Sequence, residues 1–169
     1  LFAPEDIAYF TQVRQQCATP LAMGELFVNQ AEYVPLIQQR LIDFIRVHIS
    51  DIGGFSMARK LATFCEFMGV RTAFHGPGDV SPVGHAANMH LDLAVSNFGI
   101  QELALFREET RAVFPGTPEV HDGCMWPNEG AGWGVDLDEK LAAEFPFPED
   151  AYNGAWPEVR AWDGTVIRP

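Results

Sequence analysis

The stretch Phe44-Ile-Arg-Val-His-Ile49 decides the fold. Its alternation places Ile45, Val47 and Ile49 on one face and Phe44, Arg46 and His48 on the other, the period-two pattern of a strand. The aliphatic face suits packing beneath helices. The other face carries an arginine and a histidine, which are costly to bury unless they meet partners or a ligand.

Working outward, the chain alternates helix and strand. Pro4 to Cys17 spaces Ile7, Phe10, Val13 and Cys17 at helical intervals, and Pro4, Glu5 and Asp6 suit a helix start. Leu21 to Glu25 is a short apolar run ending in a carboxylate. Glu32 to Leu41 predicts a second helix, with Pro35 tolerable only in its first turn. Gly53-Gly54 opens a third, in which Met57, Leu61, Phe64, Cys65 and Met68 recur before Gly69 stops it. Val70 to His75 predicts a strand, Gly76-Pro-Gly-Asp79 a loop, Pro82 to Leu93 a helix, and Phe98 to Glu102 a final strand after Asn97.

Such alternation points to an α/β protein with crossover helices and a parallel sheet. Glu25 to Arg46 spans 21 residues, Arg46 to His75 spans 29, and His75 to Glu102 spans 27. An eight-fold barrel uses about 30 per unit. A doubly wound sheet gives similar spacing, but no Gly-rich phosphate loop follows an early strand. From Ala104 the character changes: all four tryptophans and seven of the twelve prolines fall between there and Pro169. Helical periodicity survives only around Asp136 to Phe145, with Asp136 or Asp138 as its cap. A segment so short and irregular, with tryptophans needing apolar cover, is expected to wrap the body of the protein or another domain.

The 169 residues carry 11 Lys+Arg against 23 Asp+Glu, a net charge of -12. Binding to nucleic acid or an anionic membrane is not expected of so acidic a chain. No apolar run approaches the roughly 18 residues of a membrane span, and Leu1 to Phe10 resembles no secretory signal. Cys17, Cys65 and Cys124 are too far apart for a zinc site and too few for a disulfide framework, which predicts reduced packing residues and a cytoplasmic protein.

Glu25, His75 and Glu102 each end an apolar run, and Arg46 lies within one. Barrel enzymes build their active sites at the C-terminal ends of strands, so four successive strands offering an ionisable group there form a candidate site. Each residue alone has a simpler reading. Glu25 could cap a helix or sit in a loop, Arg46 could be a structural ion-pair partner, Asp79 could cap the Pro82 helix, and Glu102 could be a solvated strand end. Gly24 admits close approach of backbone or ligand beside Glu25. His85, His90 and His121 read as structural, and His48 as intermediate.

At these residues the sequence resembles the C-terminal part of the D-mannonate dehydratase-like, starvation-sensing family of the enolase superfamily. The segments that carry the likeness are Pro20-Leu-Ala-Met-Gly-Glu25-Leu-Phe27, Asp43-Phe-Ile-Arg46-Val-His48, Gly69-Val-Arg-Thr-Ala-Phe-His75-Gly-Pro-Gly-Asp79 and Asn97-Phe-Gly-Ile-Gln-Glu102. Val135-Asp-Leu-Asp-Glu-Lys-Leu-Ala-Ala143 and Asp163-Gly-Thr165 match as well. The resemblance implies the C-terminal half of a (β/α)₇β TIM-like barrel over residues 1–103. Residues 104–169 would be an irregular tail packed on the barrel or its capping domain. It implies Mg²⁺-dependent dehydration of an acid sugar, D-mannonate or D-gluconate, to the 2-keto-3-deoxy acid through a metal-stabilised enediolate. Glu25 would be a Mg²⁺ ligand and would touch substrate, together with Arg46, His75, Asp79 and Glu102. The acid/base residues, two further metal carboxylates and the capping domain would lie upstream of Leu1, so none of the catalytic acid/base groups is expected within this sequence. The chain is then expected to be part of a longer or complemented protein, inactive alone, in a homo-oligomer. Two other outcomes stay open: a weakly active or non-catalytic regulatory homologue, and a structural subunit that completes its barrel with a separate N-terminal chain.

Overall fold

The computed structural model describes residues 6–147. Over its first hundred residues it alternates as expected: α1 Ile7–Gln16, β1 Ala22–Met23, α2 Gln30–Gln38, β2 Phe44–Ile45, α3 Phe55–Met68, β3 Arg71–Thr72 and α4 Pro82–Ala94. β1, β2 and β3 pair in that order, all parallel, with Ala22 opposite Phe44 and Phe44 opposite Arg71. The strand expected over Phe98 to Glu102 is reduced to one parallel bridge, from Thr72 to Phe98, and residues 99–102 continue as an extended run without regular pairing. The regular ladders are only two residues long, but pairing carries on toward the C-terminal ends. Arg46 N donates to Met23 O at 2.8 Å, Ala73 N to Ile45 O at 2.9 Å, and His75 N to Val47 O at 3.0 Å.

The hydrophobic core lies on the aliphatic face read from the sequence. Ile45 and Val47 are fully buried with Leu36, Ile37, Leu61 and Phe74, while Arg46 and His48 on the opposite face keep partial exposure. Asp43, at the entry to β2, fastens the layers. It accepts from Leu21 N at 2.7 Å and Arg14 at 2.5 Å, tying α1 and β1 to β2. Burial alone would raise the Asp43 carboxyl, but the Leu21 amide and the Arg14 guanidinium hold it below its ordinary value.

Several elements differ from their expectation. α2 starts at Gln30 rather than Glu32, so Pro35 falls beyond its first turn. Asn29 caps the helix reciprocally with Glu32, and this box starts the helix early enough to enclose the proline. Ser81 caps α4 through Gly84 N, so Asp79 is not that cap. The region after Ala104 holds more regular structure than its composition suggests. It contains α5 Glu108–Val113, an antiparallel hairpin of β4 Glu119–His121 and β5 Cys124–Trp126, and α6 Glu139–Ala142 capped by Asp138. The hairpin turns at Asp122-Gly123, both with positive φ, the dipeptide that favours such a turn.

Trp133 packs against Phe55 of α3 and His90 of α4, with ring centroids 4.9 and 5.4 Å apart. Trp156, Trp162 and Asp163 to Thr165 lie outside the described residues. Cys65 is buried, and burial pushes its thiol up to about 12. Cys124 is exposed, contrary to the packing role expected of it, because it lies on the outer hairpin. Among the described residues no helix is long and apolar enough to cross a membrane.

Asp92 of α4 has a buried carboxylate. Neither of its oxygens has a hydrogen-bond partner among the described residues, and burial pushes its carboxyl from an ordinary 3.8 up to about 8. Between those values the folded chain keeps a proton that the unfolded chain has released, so stability falls as pH rises from about 4 to about 8. We predict that urea denaturation records this decline, on the order of a few kcal/mol. D92N, which cannot ionise, should lose most of the slope.

Candidate active site

Four of the five site residues read from the sequence meet at the C-terminal ends of the parallel strands. Gly24 turns the chain out of β1 with φ 138°, and a Cβ there would lie 2.9 Å from Val47 Cγ1 and 3.1 Å from the Arg46 carbonyl carbon. The missing side chain is what lets Glu25 come down beside Arg46. Arg46 then bridges two carboxylates. Its Nη1 donates to Glu25 Oε2 at 2.7 Å, and its Nη2 donates to both Glu102 oxygens at 2.8 and 2.7 Å. His75, whose side chain is nearly buried, places Nδ1 2.7 Å from Glu102 Oε2 and Nε2 3.7 Å from Glu25 Oε1. The Gly76 amide also donates to Glu102 Oε2, at 3.1 Å.

Electrostatics follow from these contacts. Burial alone would raise the Glu102 carboxyl. The Gly76 amide, the Arg46 guanidinium and His75 outweigh burial and hold it below its ordinary value. Burial alone would lower Arg46, and Glu25 and Glu102 instead raise it. Glu102 is therefore an acceptor over the whole neutral range, which makes Nδ1 of His75 the protonated ring nitrogen and frees Nε2 to take or give a proton. Two carboxylates facing one guanidinium leave the mouth with net negative charge.

Asp79, the fifth expected residue, stands apart. It is exposed on the loop before α4 and reaches none of the four, although it lines a recess with His48 and His75 beside them. The structural readings of His85, His90 and His121 hold. His85 is buried against Phe106, with Nε2 3.2 Å from the Pro77 carbonyl, His90 packs on Trp133, and His121 stacks on Trp126.

Three supports were not picked out from the sequence. Asn88, buried on α4, donates to the His75 carbonyl at 3.1 Å, and Gln101 donates to the Phe74 carbonyl at 3.0 Å. Gly76 lies so close to the run ending at Glu102 that a Cβ would meet Glu102 O at 2.2 Å. Gln101 and Gly76 sit inside the quoted motifs beside Glu102 and His75, and that adjacency was the available signal.

Comparison with known proteins places this geometry in a family. The family model "Enolase C-terminal domain-like" matches residues 2–141, and the chain belongs to that family. It is 53% identical over 167 residues to a D-galactonate dehydratase family member of Pantoea ananatis, covering 99% of this chain and 40% of that protein. A family member of Salmonella enteritidis is also 53% identical, with 39% of its length covered. The chain thus spans about 40% of the length of the curated relatives it matches. Among solved structures, an enolase from Pantoea ananatis with bound D-gluconate and Mg superposes with TM-score 0.89 at 53% identity, over 99% of this chain and 40% of that one. A mandelate racemase/muconate lactonizing enzyme from Jannaschia, 22% identical, shares the fold with TM-score 0.78 over 87% of this chain and 37% of that one.

The donor set fits one position of a Mg²⁺ shell. Among the described residues no group of three His, Cys, Asp or Glu side chains could hold a metal. Glu102 is fully engaged, but Glu25 is half exposed at the mouth, and among the described residues only its Oε2 is hydrogen-bonded. Its second oxygen suits a hard dication that takes near-octahedral oxygen ligands.

The close approach of Gly76 to Glu102 gives a direct test. Adding a methyl group in G76A must displace the Gln101-Glu102 backbone, at a cost of about 1–3 kcal/mol. The expected result is a lower urea midpoint together with loss of the His75–Glu102 hydrogen bond, seen as disappearance of the downfield imidazole Nδ1–H resonance. Wild-type stability with that resonance retained contradicts the packing described.

Proposed function

We propose that the chain supplies the C-terminal half of the barrel of a Mg²⁺-dependent acid-sugar dehydratase, acting on D-gluconate or its epimer D-mannonate. Residues 1–103 would carry the barrel strands, and 104–169 would pack on the barrel or its capping domain. The observation that carries the reading is the convergence of Glu25, Arg46, His75 and Glu102 from four successive parallel runs. It is supported by the 53% identity to a structure holding D-gluconate and Mg. Charge supports it too. A net-negative mouth binds an organic anion favourably only if a cation joins it.

The chain's own residues then have distinct tasks. Glu25 would hold the Mg²⁺ through one carboxylate oxygen, and the ion, when bound, neutralises charge that develops as the proton next to the substrate carboxylate leaves. Arg46 fixes the separation of Glu25 and Glu102 and offers remaining N–H groups to substrate oxygens. Glu102 fixes the His75 ring through Nδ1 and keeps the Nε2 lone pair at the mouth as an acceptor facing the substrate. Asp79 would reach substrate from the loop, at the edge of the recess it shares with His75. Loss of one C–H proton and one hydroxyl, together water, leaves an enol that tautomerises to the 2-keto-3-deoxy acid.

Four parallel runs do not close a barrel. The remaining strands, two further metal carboxylates and the acid/base residues would come from polypeptide outside residues 1–169, and the assembled enzyme would form a homo-oligomer. One observation favours a second reading, a non-catalytic acid-sugar binder: the described residues hold no group of three metal-ligating side chains.

Assembly with the portion of the Pantoea ananatis relative that the match leaves out provides the test. The expected result is turnover of D-gluconate that EDTA abolishes and Mg²⁺ restores, lowered about 100-fold or more by E25Q. EDTA-insensitive binding without turnover supports the second reading, and unchanged turnover in E25Q removes Glu25 from the metal site.

A further inference from the structure

His48 shares with Arg46 the polar face of the extended run that continues β2, and its ring centroid lies 5.5 Å from that of His75. Its side chain keeps 21% exposure, so it is not a sealed core residue. Nδ1 sits 2.5 Å from Ser50 Oγ, and that hydroxyl lies 3.2 Å from Asp51 Oδ1. A carboxylate only accepts, so the single hydroxyl proton of Ser50 goes to Asp51 and Oγ takes the proton of Nδ1. Asp51 Oδ1, 3.8 Å from Nδ1, adds attraction for a proton on that nitrogen. The ring is thereby fixed with Nε2 as a lone-pair acceptor, for which no hydrogen bond is present among the described residues. His75 has the same arrangement, with Glu102 in the place of Ser50.

Both rings open on one recess of about 350 Å³, whose wall also includes Ser50, Asp79 and Asn88. That volume is within the range of small-molecule sites and suits a six-carbon acid. Of the ion-paired cluster only His75 lines the recess, whose far wall is Val80, Ser81 and Gly84 at the start of α4.

We propose that His48 is a further substrate-binding residue, whose Nε2 accepts a hydrogen bond from a hydroxyl on the part of a polyhydroxy acid distal to its carboxylate. The assignment rests on the dehydratase reading for the identity of the acid, and on the Asp51–Ser50–His48 chain for the direction of the hydrogen bond. It makes His48 a determinant of chain length and hydroxyl pattern, separate from the groups at the carboxylate end.

Two measurements test it, the ring tautomer on the 169-residue chain and acid binding on that chain assembled with the portion of the Pantoea ananatis relative that the match leaves out. Long-range ¹⁵N–¹H correlation should find the His48 ring in the Nδ1–H form, shifting toward Nε2–H in S50A; an Nε2–H ring in the unaltered chain overturns the proposal. Titration in the presence of Mg²⁺ should find D-gluconate bound about five- to tenfold more weakly by H48F, the loss of roughly one neutral hydrogen bond. H48Q, which keeps an acceptor, should stay within about threefold. Glycolate, which has no distal hydroxyls, should bind the unaltered assembly and H48F alike. Equal D-gluconate affinity in H48F overturns the His48 assignment alone. Failure of the unaltered assembly to bind either acid overturns the dehydratase reading with it.

Discussion

The Arg46 guanidinium, held between Glu25 and Glu102, is the interaction on which the site depends. It joins residues 21 and 56 positions away along the chain and fixes how far the strand ends stand apart. Removing either carboxylate would leave a half-buried cation with an unmatched donor, which costs more than the pair contributes. The pairs are partly solvent-exposed, so the arrangement matters less for net stability than for geometry. It sets Glu25 at the mouth with one oxygen free, and it leaves Glu102 to orient His75.

The same strand explains why the core and the site do not compete. Alternation along Phe44 to Ile49 sends Ile45 and Val47 into the helical layer and Arg46 and His48 to the opposite face. The apolar face then anchors the backbone while the polar face is left to carry charge. Asp43 pins the start of that strand to α1 and β1, so the polar face is held at its base as well.

Much of this was legible because it is local. Strand alternation, the α3 helix between Gly54 and Gly69, and polar groups ending apolar runs all lie within a few residues of one another, and from them four site residues could be named that do converge. What escaped had other causes. The Asn29–Glu32 capping box was present in the sequence, and it overrode the proline restriction used to place α2. The Asp122-Gly123 turn was equally visible but was submerged in a segment read by its tryptophans and prolines. Asp79 lies four residues from His75 in sequence, and only the path of the Gly76–Asp79 loop takes it away from the cluster. The burial of Asp92 and the support of His75 by Asn88 are products of tertiary packing, and no local pattern reports them.

The central claim is that Glu25 and its neighbours form the place where a divalent cation and an organic anion meet. Titration with Mn²⁺, a paramagnetic substitute for Mg²⁺, tests it most directly when the side-chain signals of Glu25, His75 and the other acidic residues are followed by NMR. The account predicts that broadening starts at Glu25 and His75 and becomes stronger when D-gluconate is added. Broadening spread over the acidic surface, with Glu25 untouched and no response to D-gluconate, would contradict it.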